Sequence, residues 1–210
     1  MKCLTSIFFL MLANWYSVSA EFKIINGTQA IMHEYPQLVS LRVNNEHICG
    51  GSLLNGNTVL TAAHCVWEFR QWPLSYLKYY GVQVVLGEYD LHRVYGVEKY
   101  FQVTKIILHN SYQSESAYVY GNDVALLKFD GFVSNTQYDY INHTLLDTTS
   151  FTRPGSRCDV VGWGSIQPSG VGAARFLQKA TINVIWLNDD HKILKCNLDF
   201  IEWRVFESIL

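Results

Sequence analysis

Short apolar runs separated by turn residues constrain this chain more than any other feature. The stretches QLVSLRV (37–43), VQVVLGEY (82–89), YFQVTKIILH (100–109) and DVALLKF (123–129) are rich in β-branched and aromatic residues. CDVVGWG (158–164) and LQKATINVIW (177–186) continue the series, and the gaps between runs carry Gly, Asn and Ser. Runs of this length and spacing predict an all-β domain, an antiparallel sandwich or barrel. The aromatic load of 13 Tyr, 11 Phe and 6 Trp suits strands better than helical bundles. A helical period stands out only in LNDDHKILKC (187–196), where Asn188 is placed to cap and Asp189 and Asp190 fill a first turn.

With 49% apolar and 16% charged residues in 210, the chain has enough apolar surface for a packed core and is unlike a disordered polymer. Its net charge of −2, without a block of like charges, gives no support to a nucleic-acid partner or a polybasic membrane surface. The first twenty residues, MKCLTSIFFLMLANWYSVSA, read as a secretory signal: Lys2, an apolar centre from Ile7 to Ala13, then small residues ending at Ala20. The apolar run is too short to span a bilayer. The expected product is secreted and extracellular, with no membrane partner.

Secretion changes how the cysteines are read. Cys3 leaves with the signal, so the mature chain keeps Cys49, Cys65, Cys158 and Cys196. In an oxidising compartment these are half-cystines before they are metal ligands. Four cysteines allow three pairings, and spacing does not choose among them. A Cys49–Cys65 bridge would close a loop worth roughly 3 kcal/mol in the chain-entropy account. No close Cys-x-x-Cys or His-x-x-x-His pair supports zinc, and no metal or other cofactor is expected.

KIING (23–27), CGGSLLNGNTVLTAAHC (49–65), NDVALLKF (122–129) and CDVVGWG (158–164) occur in that order. As an ordered set they resemble the trypsin/chymotrypsin family of serine proteases, from about Lys23 to Cys196. The resemblance implies a chymotrypsin-like double β-barrel with its active site in the cleft between the barrels. It implies a serine endopeptidase working by Ser-His-Asp acyl transfer on a protein or peptide substrate. A serine hydroxyl is a poor nucleophile at neutral pH, so it needs an imidazole base, and that base needs a carboxylate to hold its tautomer. His64 matches the base and Asp123 the carboxylate. Cys49–Cys65 matches a family disulfide, whereas Cys158 and Cys196 match positions whose partners lie beyond residue 210.

Lys23–Ile24 resembles a zymogen activation site, cut by a trypsin-like protease after the tripeptide 21–23. Asn142-His143-Thr144 and Asn26-Gly27-Thr28 are glycosylation sequons; Asn142 is the better candidate, because Asn26 adjoins the activation point. GEYDLHRVYGVE (87–98) resembles the calcium-binding loop of some trypsins, with Glu88 and Glu98 at matching places. Tyr95 falls where another acidic ligand is often found, so a solvated loop is expected instead of a metal site.

The family's nucleophile lies in a Gly-Asp-Ser-Gly-Gly-Pro motif, and no such motif occurs in these 210 residues. The expected organisation is a signal peptide (1–20), an activation propeptide (21–23) and a complete first barrel (24–140). A linker with part of the second barrel (141–196) and an unrelated tail (197–210) would follow. On this reading the chain is truncated before the nucleophile, oxyanion hole and specificity pocket, and is inactive as written. The alternative is a secreted non-catalytic protease homologue that acts by binding.

Overall fold

Alternation sets the architecture. In β7 (Ala125–Phe129) the residues Ala125, Leu127 and Phe129 are buried while Leu126 and Lys128 are half-exposed, which is the period of two expected of a strand with one face on a core. The computed structural model describes residues 27–113, 122–134, 137–146, 155–166, 172–186 and 194–196. Lys23, Ile24, Asn26, the signal segment and the tail 197–210 lie outside the described residues.

Six antiparallel strands close a barrel in the order β2-β3-β4-β7-β6-β5. They are β2 (Leu38–Val43), β3 (Glu46–Asn55), β4 (Thr58–Thr61), β5 (Gln83–Leu86), β6 (Lys99–Leu108) and β7. Closure removes every strand edge from that sheet. Val39, Leu41, Leu53, Val59, Leu86, Val103 and Leu127 fill its interior. The predicted all-β class holds, with a complete first barrel and a partial second sheet. That second sheet is built on β9 (Gln178–Trp186), which pairs with β1 (Thr28–Gln29), β8 (Arg157–Gly162) and β10 (Leu194–Cys196).

Strand predictions hold in the main and fail in three places. The run 82–89 is strand only over Gln83–Leu86, because Gly87 turns the chain at φ +74°. The long strand β3 was hidden by the paired glycines Gly50 and Gly51. The helix expected over 187–196 is corrected at its end: Leu194–Cys196 is a strand against Val184–Trp186 of β9, while 187–193 lie outside the described residues. A one-and-a-half-turn helix, α1 (Leu74–Tyr79), forms instead after Pro73, which opens it without donating an N–H.

The two sheets meet across a small second core of Ala30, Trp163 and Leu177, flanked by Leu38, Tyr89 and Val161. Backbone hydrogen bonds stitch the same seam: Ala30 N–H to Leu177 O at 2.9 Å, Leu177 N–H to Tyr89 O at 3.0 Å, and Leu91 N–H to Arg175 O at 2.9 Å. The Trp163 indole N–H donates to Tyr89 O at 3.1 Å. The seam fixes loop 87–98 against the second sheet.

Candidate active site

The site begins with a register. β4 pairs with β7 so that Thr61 lies opposite Ala125. The chain leaving β4 therefore reaches His64 at the end of the barrel where the chain entering β7 passes Asp123. Sequence separation is 59 residues, yet the pairing brings both to one rim.

Three local features hold His64. The Cys49–Cys65 disulfide ties the residue after His64 back to β3. Thr61 Oγ1 donates to Gly50 O at 2.8 Å, a second tie between the same segments. Gly51 allows the close approach: a Cβ there would stand 2.8 Å from Val59 Cγ1 and 2.9 Å from Leu60 O. The second glycine of CGGS, Gly51, is thus a packing requirement of β3 against β4, whereas a Cβ at Gly50 would meet nothing nearer than Val39 O at 3.9 Å. On the other side, Asn122 adopts the left-handed conformation at φ 62°, which Asn tolerates better than most residues. Its carbonyl accepts from Val124 N–H at 2.8 Å, and this tight turn aims Asp123 back toward His64. The role of Asn122 was missed in the sequence; the signal available was Asn before Asp at a strand entry.

His64 Nδ1 lies 2.6 Å from Asp123 Oδ2, and the His64 backbone N–H donates to Asp123 Oδ1 at 2.8 Å. Both side chains remain part-exposed, at 27% and 21%. Burial alone would raise the Asp123 carboxyl, but the ring and backbone donors of His64, with the Ala63 backbone N–H, outweigh it and hold the group below the usual carboxylate range. An ionised carboxylate on Nδ1 favours the tautomer with the proton there, leaving Nε2 as the basic nitrogen. Nε2 sits 3.4 Å from Cys65 Sγ on the outer side of the ring. An imidazole so held can take a proton at Nε2 and be stabilised as imidazolium.

The other predicted residues fall elsewhere. Asn142 is exposed; its Oδ1 accepts from His143 N–H at 2.8 Å. The Cys158 thiol is free, and the Cys196 side chain lies outside the described residues. Cys49, His64 and Cys65 cluster tightly enough to suggest metal ligands, but both sulfurs are spent in the disulfide. The expectation of a solvated loop at 87–98 holds for residues 92–96, which are exposed, but its acidic side chains do not share that exposure: Glu88, Asp90 and Glu98 are all buried. Nor do these residues fit calcium, because Glu88 is paired with the guanidinium of Arg42. No helix among the described residues is long and apolar enough to cross a membrane.

Comparison with known proteins gives a consistent picture. A family model described as Trypsin matches residues 24–191. Granzyme M of Rattus norvegicus is 35% identical over 167 residues, covering 79% of this chain and 58% of that protein. Trypsin-1 of Astacus astacus is 30% identical over 191 residues, covering 89% of this chain and 73% of that protein. Among solved structures, a mutant of human heparin binding protein superposes with a TM-score of 0.67 at 26% identity, covering 83% of this chain and 72% of that one. The chain spans 58%, 62% and 56% of the lengths of granzyme M, Trypsin I-P38 of Gallus gallus and the anionic trypsin of Bos taurus.

Proposed function

The chain belongs to the trypsin family of serine proteases, and from that premise we propose that His64 and Asp123 are the general base and orienting carboxylate of a peptide-bond hydrolase. The observation that carries the reading is the double grip of one carboxylate on one histidine, 2.6 Å to Nδ1 and 2.8 Å from the backbone N–H. A structural histidine beside a disulfide needs no such orientation, whereas a base acting through Nε2 does. The substrate class is protein or peptide. Secretion, a glycan on exposed Asn142 and activation by a trypsin-like protease cutting after Lys23 belong to the same proposal.

A base and its carboxylate do not hydrolyse a peptide without a nucleophile. These 210 residues hold no Gly-Asp-Ser-Gly-Gly-Pro stretch, so a polypeptide of these residues alone forms no acyl-enzyme on this reading. The test is to pass the secreted chain over immobilised trypsin, then add a fluorophosphonate probe. No label on the 210-residue chain is the expected result; covalent labelling that His64→Ala abolishes would overturn the proposed inactivity and keep the base. A second reading, a non-catalytic homologue acting by binding, draws support from the likeness to heparin binding protein. The net charge of −2 argues against a polyanion as its ligand.

A further inference from the structure

The charges of loop 87–98 are matched from within. Leu86 pairs with Lys99 in the β5–β6 register, so Glu88 and Glu98 both stand just beyond that last pair, at the neck of the loop. The Glu88 side chain is 1% exposed and its Oε2 accepts from Arg42 Nη2, while Oε1 accepts from Tyr89 N–H at 3.2 Å. Arg42 arrives from β2, which lies beside β5 in the barrel. Both oxygens of Glu98 are also engaged, accepting from Tyr95 N–H at 2.8 Å and Gly96 N–H at 2.9 Å. Farther along, Asp90 is gripped at both oxygens by Arg175, Nε and Nη2 each at 2.9 Å.

Calcium needs six to eight oxygen ligands at about 2.3–2.6 Å. Here the Glu88 oxygen that would face an ion faces a guanidinium, which stays charged at any physiological pH. Burial raises the Glu88 carboxyl and the charge of Glu98 adds to that, with Arg42 working against both. Two buried like charges at one loop neck therefore need a cation, and Arg42 is placed to be it.

We propose that Arg42 is the resident cation of loop 87–98: its guanidinium supplies at Glu88 the charge that a divalent ion supplies in a calcium-binding loop, while Glu98 is held by the Tyr95 and Gly96 N–H groups, so the loop closes without metal. Arg42→Gln removes that charge, leaves both carboxylates in place and turns the loop neck into a site for a divalent or trivalent ion.

The proposal is tested on the full chain by thermal melting in chelator and in millimolar calcium, and by terbium emission sensitised through Tyr89 and Tyr95. The unaltered chain should melt at one temperature in both solutions and show no saturable terbium signal. Arg42→Gln should melt several degrees lower in chelator, recover in calcium and show saturable terbium emission. Arg42→Lys keeps a positive charge and should stay indifferent to calcium. A calcium-dependent melt or saturable terbium signal from the unaltered chain would overturn the proposal. So would a folded Arg42→Gln that ignores both ions. If Arg42→Gln does not fold, Arg42→Lys decides: calcium dependence there refutes the assignment, and indifference upholds it.

Discussion

Replacing Asp123 with Asn isolates the charge of the His64–Asp123 pair while keeping its shape. The native carboxylate accepts from the His64 backbone N–H at 2.8 Å and faces the ring Nδ1 at 2.6 Å. In the amide, Oδ1 can still accept from the backbone. Its NH2 group then faces Nδ1 and finds a partner there only if the ring proton has moved to Nε2. Hydrogen bonds to charged groups contribute about 1.5–3 kcal/mol and neutral ones about 0.5–1.5, so two weakened bonds cost about 2 kcal/mol before desolvation is counted. The amide is cheaper to bury than the carboxylate, and both side chains are part-exposed. The net loss should therefore be about 1 kcal/mol, or about 2–4 °C in melting temperature for a chain this long.

The decisive assay is nitrogen-detected NMR of the histidine rings. His64 should carry its proton on Nδ1 in the native chain and on Nε2 in Asp123→Asn. The pH dependence has a definite sign. Asp123 titrates below its unfolded value, so its contribution is complete above about pH 4 and lost as the pH falls through the folded pKa. The stability gap between native and variant should be flat near neutrality and close in acid. A ring that keeps its Nδ1 proton in the variant would refute the argument that the carboxylate sets the tautomer. A loss above about 4 kcal/mol would mean that Asp123 is needed to form the rim itself, as buried ion pairs sometimes are.

Two further outcomes follow from the barrel. Leu127→Ala, at a fully buried position on β7, should cost about 3 kcal/mol in urea unfolding, whereas Leu126→Ala on the outer face should cost under about 1. Burial, with the Arg42 charge second, pushes His47 down to about 4. The unfolded chain therefore takes up that proton first, and stability should fall by about 3 kcal/mol between pH 6.5 and about 4; His47→Gln should flatten that limb of the urea midpoint against pH.

What could be read from sequence followed from how local its physical cause is. β2 and β7 were legible because their enrichment in β-branched and aromatic residues is written in one short run each, 37–43 and 123–129, bounded by turn residues. β3 was not, since the pair Gly50-Gly51 looks like a turn until Val59 and Leu60 of the neighbouring strand are seen at less than 3 Å from where a Cβ on Gly51 would sit. The segment 194–196 carries part of a helical period, but pairing with β9 overrides it. His64 and Asp123 were recognisable because each sits inside a motif of its own. Their meeting needed only that β4 and β7 be neighbours.

The pairing of Arg42 with Glu88 illustrates the opposite case. Arg42 is unremarkable in its own stretch, an arginine at an apparent strand end, and Glu88 stands out there only by its likeness to a calcium ligand, which says nothing of an arginine. Their partnership depends on β2 lying beside β5 and on the barrel closing, neither of which any motif states. Once the barrel is closed, the loop neck holds two buried carboxylates, and leaving them without a counter-charge would cost several kcal/mol of desolvation and repulsion. The fold thus creates the need for a cation, and the sequence meets it from a strand 46 residues away. The same closure that brings His64 to Asp123 at one end of the barrel therefore dictates how loop 87–98 is neutralised. A substitution at Arg42 should disturb that loop and leave the His64 tautomer as it is.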